Sequence, residues 1–142
     1  MTSEPVVVGW AQNKFVKDST VKPLSLFLPN GFLNDNNYES YHTPESDTNY
    51  LIPVGKKYII LQICMVSASS VTTQGDIYLG YSTTVDSATG FNLIGRYTQT
   101  AAVGAPAITF EPYIEVPAGN YITGRGNANS YNVMLNGVEV DA

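Results

Sequence analysis

The chain has 142 residues, a mass of 15.4 kDa, a formal net charge of −5 and a pI near 4.6. Only 13% of its residues are charged, about half the usual share, and Lys56-Lys57 is its only adjacent basic pair. That size gives one domain with a real core, and that charge argues against nucleic acid as a partner, because no basic stripe is present to neutralise phosphates.

Residues 1–46 carry short apolar clusters without a helical period. The first is Val6-Val7-Val8, followed by Trp10 and Phe15; the second is Leu24-Ser25-Leu26-Phe27-Leu28, which reads as a strand buried on both faces. Pro29-Asn30-Gly31 and Asn34-Asp35-Asn36-Asn37 are loop signals. We read 1–46 as an extended N-terminal arm with one or two short strands, and Val6, Val7, Val8, Trp10 and Phe15 as its partner-binding candidates.

A domain over 47–142 follows, with strand signals recurring at sandwich spacing. The expected strands are 49–53, 57–67, 76–82, 91–98, 108–116, 120–125 and 131–140. Tyr58 to Val66 has Gln62 as its one strongly polar member, so it reads as a central strand covered on both sides. Gly80 and Gly95 mark bulges or close approaches. Asn136-Gly137 reads as a bulge in one long strand rather than a hairpin, because only Val138-Glu139-Val140 remains to return. Ile52-Pro53-Val54-Gly55 and Val116-Pro117-Ala118-Gly119 are two copies of one turn, each leading into Tyr-Ile. There Pro suits the second turn position and Gly its end. No helix is foreseen. The fold class is all-β: an antiparallel β-sandwich, jelly-roll-like.

Chemistry-bearing groups are sparse. His42 is the one histidine and lies in a polar loop; Cys64 is the one cysteine and reads as a small buried apolar residue. The two leave no multi-cysteine or conventional zinc site. Asp76, Asp86, Glu111 and Glu115 are carboxylates with no distinguishing spacing, although Glu111 and Glu115 would share one face of a strand. The loop Asn34 to Glu39 offers oxygen ligands but lacks the central Gly and distant Glu of a calcium loop, and reads as an Asn-rich turn. No cofactor and no enzymatic activity are expected. The start of the chain lacks the basic and apolar segments of a signal peptide, and no apolar run reaches the ~20 residues of a membrane-spanning helix, so no membrane partner is expected. Trp10, Tyr38, Tyr41, Tyr97 and Tyr131 read as exposed aromatics that fill the core or a subunit interface in preference to forming a sugar platform.

The paired Pro-x-Gly entries, the Gly/Asn/Thr/Tyr-rich texture and the terminal Val133-Met134-Leu135-Asn136-Gly137-Val138-Glu139-Val140 segment resemble small β-sandwich proteins of tailed bacteriophages. The resemblance covers about residues 48–142 and implies jelly-roll modules, often trimeric, serving as capsid decoration (cement) proteins or tail-fibre parts. It implies a virion location after synthesis in the host cytoplasm, a homotrimer, and the major capsid protein or another virion protein as partner. The alternative is a receptor-binding or carbohydrate-binding tail-fibre module, with a glycan as partner. For a trimer, the weakly charged strands from 91 to 116 offer Phe91, Leu93, Tyr97, Ile108, Phe110 and Tyr113 as the contact surface, because obligate interfaces are apolar and aromatic at their centre.

Overall fold

The computed structural model describes residues 20–28, 37–67, 75–99, 107–126 and 131–142. The arm candidates Val6, Val7, Val8, Trp10 and Phe15 lie outside the described residues, as do Asn34, Asp35 and Asn36 of the Asn-rich loop, whose last two residues, Tyr38 and Glu39, belong to a strand and not to a turn. Among the described residues the elements are strands: β1 (Lys22–Leu28), β2 (Tyr38–Ser40), β3 (Lys56–Ser67), β4 (Gly75–Ser82), β5 (Asn92–Gln99), β6 (Ile108–Phe110), β7 (Ile114–Pro117), β8 (Tyr121–Gly126) and β9 (Tyr131–Asp141).

One sheet runs β1-β9-β3 and ends on β6 and β7, which pair in succession along the same edge of β3; the other runs β2-β8-β4-β5. Every pairing is antiparallel. The chain crosses between sheets at each connection except the β4–β5 hairpin and the β6–β7 step, which is the jelly-roll form of the sandwich. Alternate residues of each sheet meet in the core: Leu26, Tyr58, Ile60, Ile63, Met65, Val133 and Leu135 from one, Ile77, Leu79 and Ile122 from the other.

The segment read as an arm supplies two strands, and both are built into the sandwich. Leu26 and Leu28 are buried in the core. Two such side chains together stabilise the fold by about 3–6 kcal/mol, so β1 belongs to the domain. The passage after β2 joins the sheets. Tyr41 N–H donates to the Ile122 carbonyl (2.9 Å), and the next residue, His42, bridges to Phe27 of β1. In place of the expected strand over 49–53 there are only isolated bridges at Asn49 and Leu51.

β3 is central in its sheet and carries a bulge. Ile60 pairs with Gly137 and Gln62 with Asn136, so Leu61 is the extra residue. β9 continues past this point as one strand, as the sequence indicated, but the bulge lies on β3 opposite Asn136-Gly137 and not in β9, where the sequence reading placed it. It also resets the alternation: Tyr58 and Ile60 point inward before it, Ile63 and Met65 after it. Two expectations are corrected by that shift. Cys64 is not a core residue but half-buried on the outer face, where Thr109 Oγ1 donates to its Sγ at 3.9 Å. Nor is β3 covered on both sides, since Gln62 is half-buried and Val66 is exposed.

On the other edge of β3, Phe110 pairs with Ile63 and Ile114 with Ile60. Three residues, Glu111-Pro112-Tyr113, therefore face two, and the single strand expected over 108–116 breaks at Pro112, which has no N–H for the ladder. Glu111 falls in the break, so it does not share a strand face with Glu115.

The duplicated turns lie side by side. Lys56 N–H donates to the Pro53 carbonyl (3.0 Å) and Gly55 has φ of 80°, so Pro occupies the first position and Gly the third. A positive φ at the third position belongs to a type II turn; the sequence reading had placed Pro one position too late. Gly119 has φ of 75°. Its N–H donates to the Ile52 carbonyl (2.9 Å), while Ile52 N–H donates to the Asn120 carbonyl (3.1 Å), which ties one turn to the other.

Candidate functional site

β5 and the β6–β7 pair are edge strands of the two sheets; of the six residues proposed from sequence for subunit contact they carry Leu93, Tyr97, Ile108 and Phe110, while Phe91 precedes β5 and Tyr113 lies in the β6–β7 break. Tyr97 and Phe110 meet across the two sheets with ring centroids 5.1 Å apart. Both pack against the core, as does Ile108. Phe91 covers Gly80, where an added Cβ would lie 2.5 Å from its ring, and it meets the Tyr38 ring edge-on at 5.0 Å. Four of the six thus complete the molecule's own packing. Leu93 and Tyr113 are 61% and 65% exposed, and these two present apolar surface to solvent.

The platform tyrosines are likewise divided. Tyr41 is fully buried, which removes it from any sugar platform; its Oη has no hydrogen-bond partner, and burial pushes its phenol well above the usual range. Tyr38 is half-buried on β2. His42 is half-buried, its ring edge-on to Phe27 at 6.0 Å and its Nδ1 2.8 Å from the Thr43 carbonyl oxygen. It serves the seam between the sheets. Among the described residues, no group of three or more His, Cys, Asp or Glu is placed to hold a metal ion.

Each of the four carboxylates singled out has its place. Asp76 is buried and accepts from Arg96 Nη2 (2.7 Å) and Thr98 Oγ1 (2.6 Å). Asp86, held at φ of 49°, accepts from Ser40 N–H (2.7 Å) and returns its own N–H to Ser40 Oγ (2.9 Å), pinning the β4–β5 loop to β2. Asx side chains tolerate that left-handed backbone. Burial, then the Asp86 charge, raise the neighbouring Glu39 carboxyl above its ordinary range. Glu115 is exposed and accepts from Lys57 (3.0 Å), which lowers its pKa, while Glu111 is exposed in the β6–β7 break.

One arrangement escaped the sequence reading. Strand pairing sets Tyr38 opposite Arg125, Arg125 opposite Tyr78 and Tyr78 opposite Arg96, one row across four strands on the outer face of the β2-β8-β4-β5 sheet. The Arg125 guanidinium carbon lies 4.6 Å from the Tyr78 ring centre and 5.6 Å from that of Tyr38, and Arg96 lies 5.5 Å from Tyr78. Both arginines of the chain are in this row. Cation–π contacts of this kind contribute about 0.5–1 kcal/mol each where exposed. The row depends on strand register across 88 positions of sequence, from Tyr38 to Arg125, and only the outward parity of Tyr78 within Asp76-Ile77-Tyr78-Leu79 signalled any part of it.

No protein-family model matches the chain, and no curated protein matches it. Solved structures share its fold. A chain in the acidic stable capsid structure of Helicobacter pylori bacteriophage KHP30 is 12% identical with a TM-score of 0.50, over 86% of this chain and 88% of that one. A chain of the extra small virus particle from the prawn Macrobrachium rosenbergii is 15% identical, over 86% and 79%, with a TM-score of 0.41. A carbohydrate-binding module of Cellvibrio mixtus lichenase 5A is 16% identical, over 87% and 88%, with a TM-score of 0.38. The first likeness concerns the fold alone, and the other two are too distant to carry an argument.

Proposed function

We propose that this chain is a structural protein of a virion, a capsid decoration protein that binds and stabilises a phage head. The observation that carries this reading is the end-to-end likeness to the phage capsid chain, 86% of one chain against 88% of the other. Low charge supports the same reading, since few ionic groups must be desolvated when such a surface meets protein.

In this reading the sandwich forms a homotrimer, and the segment before β1, with Val6, Val7, Val8, Trp10 and Phe15, engages the major capsid protein. Repeated weak contacts around a symmetry axis would give avidity without new chemistry. Leu93 and Tyr113, the exposed pair on adjacent edges, are the positions for the subunit contact. The test is binding of purified protein to capsids that lack it, followed by sedimentation. The wild type should co-sediment with capsids, and a chain without residues 1–19, which leaves β1 whole, should not. Leu93→Asp with Tyr113→Asp should yield a folded monomer by light scattering. A monomeric wild type, or capsid binding unchanged by the deletion, would refute this form of the proposal.

A further inference from the structure

We infer that Arg125 forms a carboxylate-binding site on the outer face of the β2-β8-β4-β5 sheet, and that its occupant is an acidic side chain of a partner protein. The inference rests on charge and geometry and not on the capsid reading. Lys56, Lys57 and Arg96 each hold a carboxylate, at 2.5, 3.0 and 2.7 Å. Arg125 has no such counter-ion among the described residues, although it is half-buried; its Nε is itself buried without a hydrogen-bond partner, so an incoming carboxylate would meet the terminal Nη groups. A guanidinium taken partly out of water without an anion is costly. Asp76, on the same strand as Tyr78, already accepts from Arg96 and Thr98.

The guanidinium carbon sits over the Tyr38 and Tyr78 rings, and two ring contacts restrain the head group, so a ligand would find its donors held in place in advance. A planar carboxylate matches that fork and can take two parallel N–H···O bonds. The same stacking weighs against a neutral sugar. Tyr78 has a guanidinium on each side and Tyr38 has one as well as the Phe91 contact, so the ring faces that a sugar would cover are taken. A net charge of −5 weighs against extended polyanions. An isolated acidic side chain on a protein surface meets both conditions.

The test uses the full chain labelled with ¹⁵N and follows the Arg125 Nε–H resonance during titration with a capped Gly-Glu-Gly peptide at constant ionic strength. The shift should saturate in the millimolar range appropriate to one charge-assisted contact, and capped Gly-Gln-Gly should produce none. Arg125→Lys keeps the charge but loses the fork; followed on the Tyr78 ring and adjacent amide resonances, it should bind at least tenfold more weakly. Tyr38→Leu, which frees one face of the guanidinium, should weaken binding while leaving the core resonances in place. A linear, unsaturating shift, an equal response to the Gln peptide, or undiminished binding by Arg125→Lys would overturn the assignment. So would tighter binding of oligogalacturonate than of the Glu peptide, which would make the ligand an acidic sugar.

Discussion

Gly137→Ala tests the β3 bulge directly. A Cβ at this position would lie 2.0 Å from the Ile59 carbonyl oxygen, 3.0 Å from its carbonyl carbon and 3.0 Å from the Tyr58 ring. The obstruction is backbone, so no side-chain rotation relieves it, and β3 and β9 must part by about 1 Å to restore ordinary contact. Overpacking of this kind costs about 1–3 kcal/mol. Weakening two ladder hydrogen bonds beside the bulge adds about 0.5–1.5 kcal/mol each. The sum is about 2–6 kcal/mol, a large part of the ~5–15 kcal/mol that holds a domain together, and corresponds to a fall in Tm of roughly 5–20 °C. Urea unfolding followed by far-UV circular dichroism measures it. Gly55→Ala is the control: nothing lies within 4 Å of its Cβ, and only the positive φ of 80° opposes the change, at about 1–2 kcal/mol. If Gly137→Ala cost no more than Gly55→Ala, the close approach at the bulge would not exist in solution.

Two core tyrosines should respond in opposite directions. Tyr58 Oη donates to the Leu24 carbonyl at 2.5 Å, so Tyr58→Phe should lose about 1–1.5 kcal/mol and loosen β1, seen as faster hydrogen exchange at its amides. Tyr41 Oη is buried without a partner, so Tyr41→Phe should be neutral or raise the urea midpoint; a loss above about 1 kcal/mol would contradict the unpaired hydroxyl. Glu39 titrates above its ordinary range because burial and Asp86 disfavour its charge. The folded chain therefore binds a proton more tightly than the unfolded one, and stability falls as pH rises through the raised pKa. Glu39→Gln should accordingly raise Tm at pH 7, with the gain vanishing once the pH drops below the ordinary carboxyl range of about 4; an equal gain at both pH values would show that charge is not the cause.

The strands were legible because β-branched and aromatic residues are bounded by Gly, Pro and Asn, and most boundaries fall within one or two residues of the observed ones. That β9 runs on through Asn136-Gly137 as one strand was legible for a reason of length, since too little chain remained for a return strand; the bulge itself was placed on the wrong strand, because the extra residue is Leu61 of β3. Cys64 was misplaced because a uniformly apolar run carries no alternation, and one inserted residue, Leu61, exchanges every later side chain between faces. Tyr41 was read as exposed from polar neighbours in sequence, whereas its burial follows from β2 and β8 lying side by side in space. The aromatic–guanidinium row lay beyond local pattern altogether. Its four members come from four strands, and pairing order is a property of topology.

The interruption at Glu111-Pro112-Tyr113 bears on how copies of this chain can associate. An uninterrupted edge strand offers a row of free N–H and C=O groups on which another chain can add a strand, and such growth has no natural end. Here that edge is cut into segments of three and four residues, β6 and β7, with a proline between them that offers no donor. Continuous sheet growth from this side is thereby blocked. Neighbouring copies meeting here must do so through side chains such as Tyr113, in contacts whose geometry can close into a finite assembly instead of propagating as a fibre.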